Sequence, residues 1–262
     1  MIARALTIAG SDPGGGAGLQ ADLKTFTAFK VYGMSAVTSV TVQNTLGVLG
    51  FSPVTPRVVA AQIDAVLEDL GTDAVKTGML ASAPVIKAVA ARLRARGVRK
   101  LVVDPVMYAK NGHSLLEPRA VGALIKELLP LALVITPNAP EASRLSGIEV
   151  TNARSAKEAA RAIHALGAAY VLVKGGHLDG PVCEDLLFDG RNFTEFRSQR
   201  IKTKNTHGTG CTLSAAIAAG LALGLEPREA AAEAVKFVAG AIKNSFALGG
   251  GHGPLNHFWR LK

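Results

Sequence analysis

Tyr170-Val171-Leu172-Val173-Lys174-Gly175-Gly176-His177 is a short apolar run that stops at a lysine and two glycines, and the same pattern recurs along the chain. Apolar runs at Ala5 to Ala9, Ala36 to Val42, Ala74 to Lys76, Leu101 to Val103 and Leu133 to Thr136 share it. They alternate with stretches of helical period around residues 18–30, 57–70, 82–96, 118–129, 155–166, 209–223 and 227–247. Strands without a polar face, separated by helices, read as βαβ units around a mostly parallel sheet covered on both sides. The expected fold is α/β in three layers: helix, sheet, helix. Val48 to Val54, and Leu186 to Ile201 with its Asp189-Gly190 hairpin signal, break the alternation and read as antiparallel or edge strands.

At 262 residues, with 48% hydrophobic residues, 28 glycines and 12 prolines, the chain has the length and composition of one globular enzyme domain, expected over 1–262. No internal repeat or Pro/Ser-rich linker marks a boundary. The net charge of +9 raises the question of nucleic acid or membrane binding. The basic residues are dispersed, however, and the densest group, Arg92, Arg94, Arg96, Arg99 and Lys100, ends a helical pattern without interleaved aromatics for base stacking. Neither partner is expected. The apolar stretch that starts near Cys211 is too short to span a bilayer and reads as a buried helix. Cys183 and Cys211 are far apart and lack metal-ligand spacing, and the apolar run in Met1 to Gly10 is too short for a signal peptide, so a reducing cytoplasm is expected.

Ligands of open α/β sheets collect at the carboxyl ends of the strands. Polar residues concentrate there: Gly10-Ser11-Asp12, Gln43-Asn44, Lys76-Thr77-Gly78, Asp104-Pro105, Thr136-Pro137-Asn138 with Glu141, and Lys174-Gly175-Gly176. Asn205-Thr206-His207-Gly208-Thr209-Gly210-Cys211-Thr212 then runs straight into the apolar helix Leu213 to Leu223. Its glycines let successive backbone N–H groups point at one spot, an anion hole suited to phosphoryl transfer, although Gly and Thr also mark ordinary helix entrances. Cys211 at that helix start is expected to have its pKa lowered by the helix dipole and to accept a substrate proton; simple packing is the other reading. Asp104 and Glu141 suit a hydrated Mg²⁺, or else a strand-end turn and a first-turn acid. Lys174 offers a point charge to phosphates, or a snorkelling side chain. Gly10 to Gly18 contains neither GxGxxG nor a P-loop, and reads as a flexible loop or lid hinge that approaches a small polar substrate. Gly33-Met34-Ser35-Ala36-Val37 lacks the closing glycine of a nucleophile elbow, and HExxH is absent.

These motifs, with Gly18-Leu19-Gln20-Ala21-Asp22-Leu23-Lys24-Thr25, Lys76-Thr77-Gly78-Met79-Leu80, Asp104-Pro105-Val106-Met107 and the tail Gly251-His252-Gly253-Pro254-Leu255-Asn256-His257, resemble the hydroxymethylpyrimidine/phosphomethylpyrimidine kinases end to end. These belong to the thiamin-biosynthesis branch of the ribokinase superfamily. The resemblance implies a ribokinase-like fold and two successive ATP-dependent phosphorylations, of a pyrimidine alcohol and then of its monophosphate. It implies that Gly10, Asp22, Gln43, Met79 and Val106 contact the pyrimidine, and that Asp104 and Glu141 lie on the Mg²⁺ side. Lys174, Thr209 and Gly210 would meet the nucleotide phosphates, and Gly208 to Cys211 would form the anion hole, with Cys211 as base where most of the superfamily has aspartate. A homodimer is implied as well. Gly14, where serine is common, and Tyr108 depart from the pattern beside retained residues. Pyridoxal kinases share the fold and are the nearest alternative; a vitamin- or nucleotide-binding module without chemistry is the alternative of another class.

Overall fold

The computed structural model describes residues 2–109, 111–177 and 182–261. Among these described residues nine strands form a single sheet in the order β3-β2-β1-β4-β5-β6-β7-β8-β9. They are β1 Arg4–Gly10, β2 Tyr32–Asn44, β3 Gly47–Pro53, β4 Ala74–Thr77, β5 Leu101–Val103, β6 Val134–Ile135, β7 Tyr170–Val173, β8 Val182–Phe188 and β9 Phe193–Gln199. From β2 through β7 every pairing is parallel. Strand β3 pairs antiparallel with β2, and β7-β8-β9 form an antiparallel meander, as the two breaks in the alternation predict.

The helices are α1 Gly18–Ala28, α2 Pro56–Asp69, α3 Ala83–Ala95, α4 Val121–Ala123, α5 Ala139–Ser146, α6 Ala153–Ala165, α7 Thr209–Ala222 and α8 Pro227–Lys243. Alternate residues of the strands feed two cores. Leu6 and Ile8 of β1 join Ile63, Ile86 and Leu93 of α2 and α3 on one face. Ala5 joins Phe26, Ile217 and Phe237 of α1, α7 and α8 on the other. Helix α7 is buried from Thr212 through Leu221, as a helix apolar on all sides must be. Lys100 donates to its C-terminal carbonyl at Leu221 (2.9 Å), the negative end of the helix dipole.

One expected helix is not regular. Residues 118–129 form a 3-10 turn at Pro118–Ala120, the short α4, a π turn at Leu124–Leu128 and a second 3-10 turn at Leu129–Leu131. Pro130 explains the rewinding: its ring displaces the carbonyl four residues back and it has no N–H to continue the ladder. Four of the five residues of the basic group have partners, Lys100 on the Leu221 carbonyl and the three others on acids. Arg92 and Arg96 reach Asp64 (3.2 Å each), Arg96 also pairs with Glu68, and Arg94 faces Glu127 (3.9 Å). Among the described residues no helix is long and apolar enough to cross a membrane.

After α8 the chain returns over the start of α7. The His207 amide donates to Gly253 O (3.1 Å), and Trp259 Nε1 donates to Phe237 O (3.1 Å). His257, 2% exposed, places Nε2 2.9 Å from Thr212 Oγ1. Burial drives the His257 imidazole down from 6.5 to about 4. The unfolded chain therefore takes up a proton between these values that the folded chain refuses, and stability falls as pH drops through that window. Urea unfolding at pH 7 and pH 4 should show wild type losing about 3 kcal/mol more than His257→Gln. Equal losses in the two proteins would place the titration elsewhere.

Candidate active site

The carboxyl ends of β4 to β7 and the amino end of α7 meet at one rim. Gly208, the N-cap of α7, has φ 83°, a left-handed conformation natural to glycine. The first α-type bond of α7 runs from the Thr212 amide to Gly208 O (2.9 Å), so the amides of Gly210 and Cys211 lie ahead of it, at the positive end of the helix. Lys174 follows β7, held by its amide on Pro137 O (2.9 Å). Its Nζ lies 3.0 Å from Asp104 Oδ1 and 3.8 Å from Glu141 Oε2. A Cβ placed on Gly210 would stand 3.2 Å from Lys174 Nζ and 3.9 Å from Asp104 Oδ2. Thus Asp104, Glu141, Lys174 and Gly210, more than a hundred residues apart at the extremes, form one cluster. Ser214 of α7 donates to Asp104 Oδ2 (3.3 Å) and ties the helix to the strand end.

Burial would strip the Lys174 ammonium of its proton, but the Asp104 and Glu141 carboxylates outweigh it and hold the pKa above its ordinary value. Glu141 closes a capping box with Asn138 at the start of α5, and burial lifts its carboxyl to about 7. Two carboxylates beside a lysine are a hard-oxygen donor set that fits a hydrated Mg²⁺ completed by water and phosphate. No cluster of three or more His, Cys, Asp or Glu side chains suited to a metal occurs among the described residues.

The residues expected around the pyrimidine fall into two places. Met79 and Val106 share a small apolar cluster with Val48 and Leu115, and the Met79 sulfur packs against Gly10. Gln43 lies beside them, its Nε2 donating to Thr41 Oγ1 (2.9 Å), in a crevice that also reaches His207 and His252. Asp22 lies beneath this surface. Its side chain is 0% exposed and its Oδ2 accepts from Lys76 Nζ (2.7 Å) and Thr7 Oγ1 (2.6 Å), while Oδ1 has no protein partner. Burial pulls the Lys76 ammonium down, and the Asp22 carboxylate more than restores it, so this fully buried lysine stays charged.

Two sequence expectations change here. The Cys211 thiol is not lowered: burial pushes it up to about 11, with the carboxylates of Asp104 and Asp22 acting in the same direction. Lys76 and a bond from the Gly18 amide oppose this without overcoming it. The helix-end dipole is a weak effect beside desolvation. The Gly10 to Gly18 loop is also no open hinge. Asp12 accepts from the amides of Gly14 (2.8 Å), Gly16 (3.0 Å) and Ala17 (2.7 Å), and Lys24 Nζ holds Gly15 O (2.7 Å). Sequence reading assigned no role to Lys76, Asp12 or His207. An aspartate two residues ahead of a glycine is an Asx-turn signal that points to Asp12; nothing local points to the partners of the other two.

With this geometry in place, the match to known proteins is decisive: the family model for phosphomethylpyrimidine kinase covers residues 12–256. The chain belongs to that family. The hydroxymethylpyrimidine/phosphomethylpyrimidine kinase of Bacillus subtilis is 50% identical over 258 residues, 98% of this chain and 95% of that one. A thiamine biosynthesis bifunctional protein of Geobacter sulfurreducens is 54% identical over 252 residues, 96% of this chain; the chain spans 51% of its length. Among solved structures, an ADP complex of Bacillus subtilis pyridoxal kinase superposes with a TM-score of 0.92 at 42% identity over 100% of both chains. The phosphomethylpyrimidine kinase of Clostridium difficile superposes with 0.82 at 44% identity, covering 92% of this chain and 100% of that one. The phosphomethylpyrimidine kinase family thus shares the three-layer ribokinase-like fold expected from the sequence.

Since a thiol near 11 ionises only in alkali, alkylation of Cys211 by iodoacetamide, followed by peptide mass spectrometry, should accelerate about tenfold per pH unit from 7 to 10. A plateau near pH 8 would show that the helix end dominates after all.

Proposed function

We propose that the chain, a single kinase domain over 1–262, transfers the γ-phosphoryl group of ATP to 4-amino-5-hydroxymethyl-2-methylpyrimidine. It then phosphorylates the monophosphate, yielding the pyrophosphate used in thiamin biosynthesis. The observation that carries this reading is the meeting of Asp104, Glu141 and Lys174 with the amide-bearing turn Gly208 to Cys211 at one rim. The ADP complex of the related pyridoxal kinase supports ATP as the phosphoryl donor. In this reading Gly10, Gln43, Met79 and Val106 border the pyrimidine, and Asp22, whose unengaged Oδ1 is sealed from solvent, meets it only when the surface above opens. Lys174, Thr209 and Gly210 bind the phosphates of ATP. Asp104 and Glu141 hold Mg²⁺, which supplies charge neutralisation on the phosphates.

Fixed amides at Gly208 to Cys211 stabilise negative charge as it spreads over the transferred group, with no reorganisation during the step. Cys211, protonated at neutral pH with its thiol near 11, is a poor resting base. It takes the hydroxyl proton only when the acceptor site lowers it, so its share belongs to the first transfer. In the second, the nucleophile is already a phosphate oxygen. The exposed apolar side chains Val40, Val42, Leu46 and Leu49 on the β2–β3 arm support a homodimer, which in this reading works in the cytoplasm.

The deciding experiment follows products by ³¹P NMR with ATP and either hydroxymethylpyrimidine or pyridoxal. The pyrimidine should appear first as the monophosphate and then as the pyrophosphate; a reaction that stops at one phosphate sinks the two-step reading. The fold match to pyridoxal kinase keeps pyridoxal as the second acceptor to be tested. Cys211→Ala should lower kcat of the first transfer about 10²-fold, the low end for a general base, and the second transfer less. Near-normal kcat in both steps would leave the turn's amides as the whole contribution.

A further inference from the structure

Asp12 is 0% exposed and lies at the centre of the Gly14 to Ala17 loop, where it takes the place an anion would occupy. Three loop amides donate to its carboxylate, and a fourth bond comes from outside the loop: His207 Nε2 stands 2.8 Å from Asp12 Oδ2, across 195 residues of sequence. Burial works against the charged carboxylate; His207 and the amides outweigh it, and the Asp12 pKa lies below its ordinary value. His207 immediately precedes Gly208, the left-handed residue from which the amide-bearing turn starts. The two segments also touch through backbone. A Cβ on Gly208 would overlap Gly16 O, and one on Gly16 would meet the His207 ring at Cδ2 (2.5 Å).

On its other side the glycine loop leads back to the acceptor surface. The Ser11 amide donates to Ser39 O (2.9 Å), and Gln43 Nε2 reaches Ser11 O (3.3 Å) and Thr41 Oγ1 (2.9 Å). A short path thus runs from the residue expected to read the pyrimidine, through Ser11 and Asp12, to His207 and the anion-hole turn. Nε2–H donates to the carboxylate whether the imidazole is neutral or charged, so the link does not depend on a protonated histidine.

We propose that Asp12 and His207 form a positioning pair that holds the acceptor-binding surface in register with the phosphoryl-transfer turn. The inference rests on the kinase reading above. Transfer demands near-attack geometry, and a shift of about 1 Å between the reacting groups costs on the order of 10²-fold in rate. Without the imidazole, Asp12 keeps its three amides, so the loop and the fold survive while the turn loses its anchor to the acceptor side.

The test compares wild type, His207→Ala, His207→Gln, Asp12→Asn and the double variant Asp12→Asn/His207→Ala, measuring kcat, both KM values and the urea unfolding midpoint. Wild-type turnover is scored first with hydroxymethylpyrimidine and with pyridoxal; its absence with both overturns the kinase reading and this inference with it. Given turnover, His207→Ala should lower kcat about 10²-fold with little change in KM or in the unfolding midpoint. His207→Gln, which keeps a donor at similar reach, should recover most of the rate. The double variant should lose no more than Asp12→Asn alone, since one link is broken either way. Intact kcat in His207→Ala, equal loss in His207→Gln, additive losses in the double variant, or losses that follow the unfolding midpoint would each overturn the positioning role while leaving the kinase reading in place.

Discussion

Backbone meets backbone where Gly16 and Gly208 pass each other, and the rest of the rim is arranged around that contact. A side chain on Gly208 would overlap Gly16 O, so the amino end of α7 reaches the loop between β1 and α1 only because a glycine stands there. The approach brings the amides of Gly210 and Cys211 over the carboxyl ends of β4, β5 and β7. It also obliges the last segment of the chain to cover the turn from outside, through Gly253 and His257. The glycines of this protein are therefore most constrained where two loops distant in sequence share one space.

Such crowding buries charge, and each buried charge is compensated nearby. Lys76 sits on Asp22, Lys174 between Asp104 and Glu141, and Asp12 among three amides and His207. A buried ion loses several kcal/mol of hydration, and only close, well-directed partners recover it. These pairs are consequently more informative about where atoms must lie than about how stable the fold is. Cys211 stands among them without a dedicated counter-charge, which is why its thiol keeps its proton where the helix end alone suggested a thiolate.

Much of this was legible in the sequence where neighbours decide the outcome. The strands of β1, β4, β5 and β7 and the buried helix α7 follow from local apolar pattern, whereas α5, eight residues long, is too short to show a helical period and was marked only by Glu141 as a first-turn acid. Residues 118–129 misled because Pro130, just past the periodic stretch, acts back on the carbonyl at Lys126. Cys211 misled because desolvation is a property of everything packed around an atom. Local pattern put Lys76 at the polar rim and His207 in the amide-bearing turn but gave no sign of their partners Asp22 and Asp12, which are 54 and 195 residues away.

By itself the sequence determined the α/β class, the polar rim at the strand ends, the amide-bearing turn and the family whose motifs it carries. All of these rest on periodicity and on residue types a few positions apart. Which charges face one another, which amides Asp12 engages, and whether Cys211 is thiol or thiolate were decided only by the tertiary structure. The physical reason is that electrostatic energy in a protein depends on distance and burial in three dimensions, and neither quantity is written in the order of the residues.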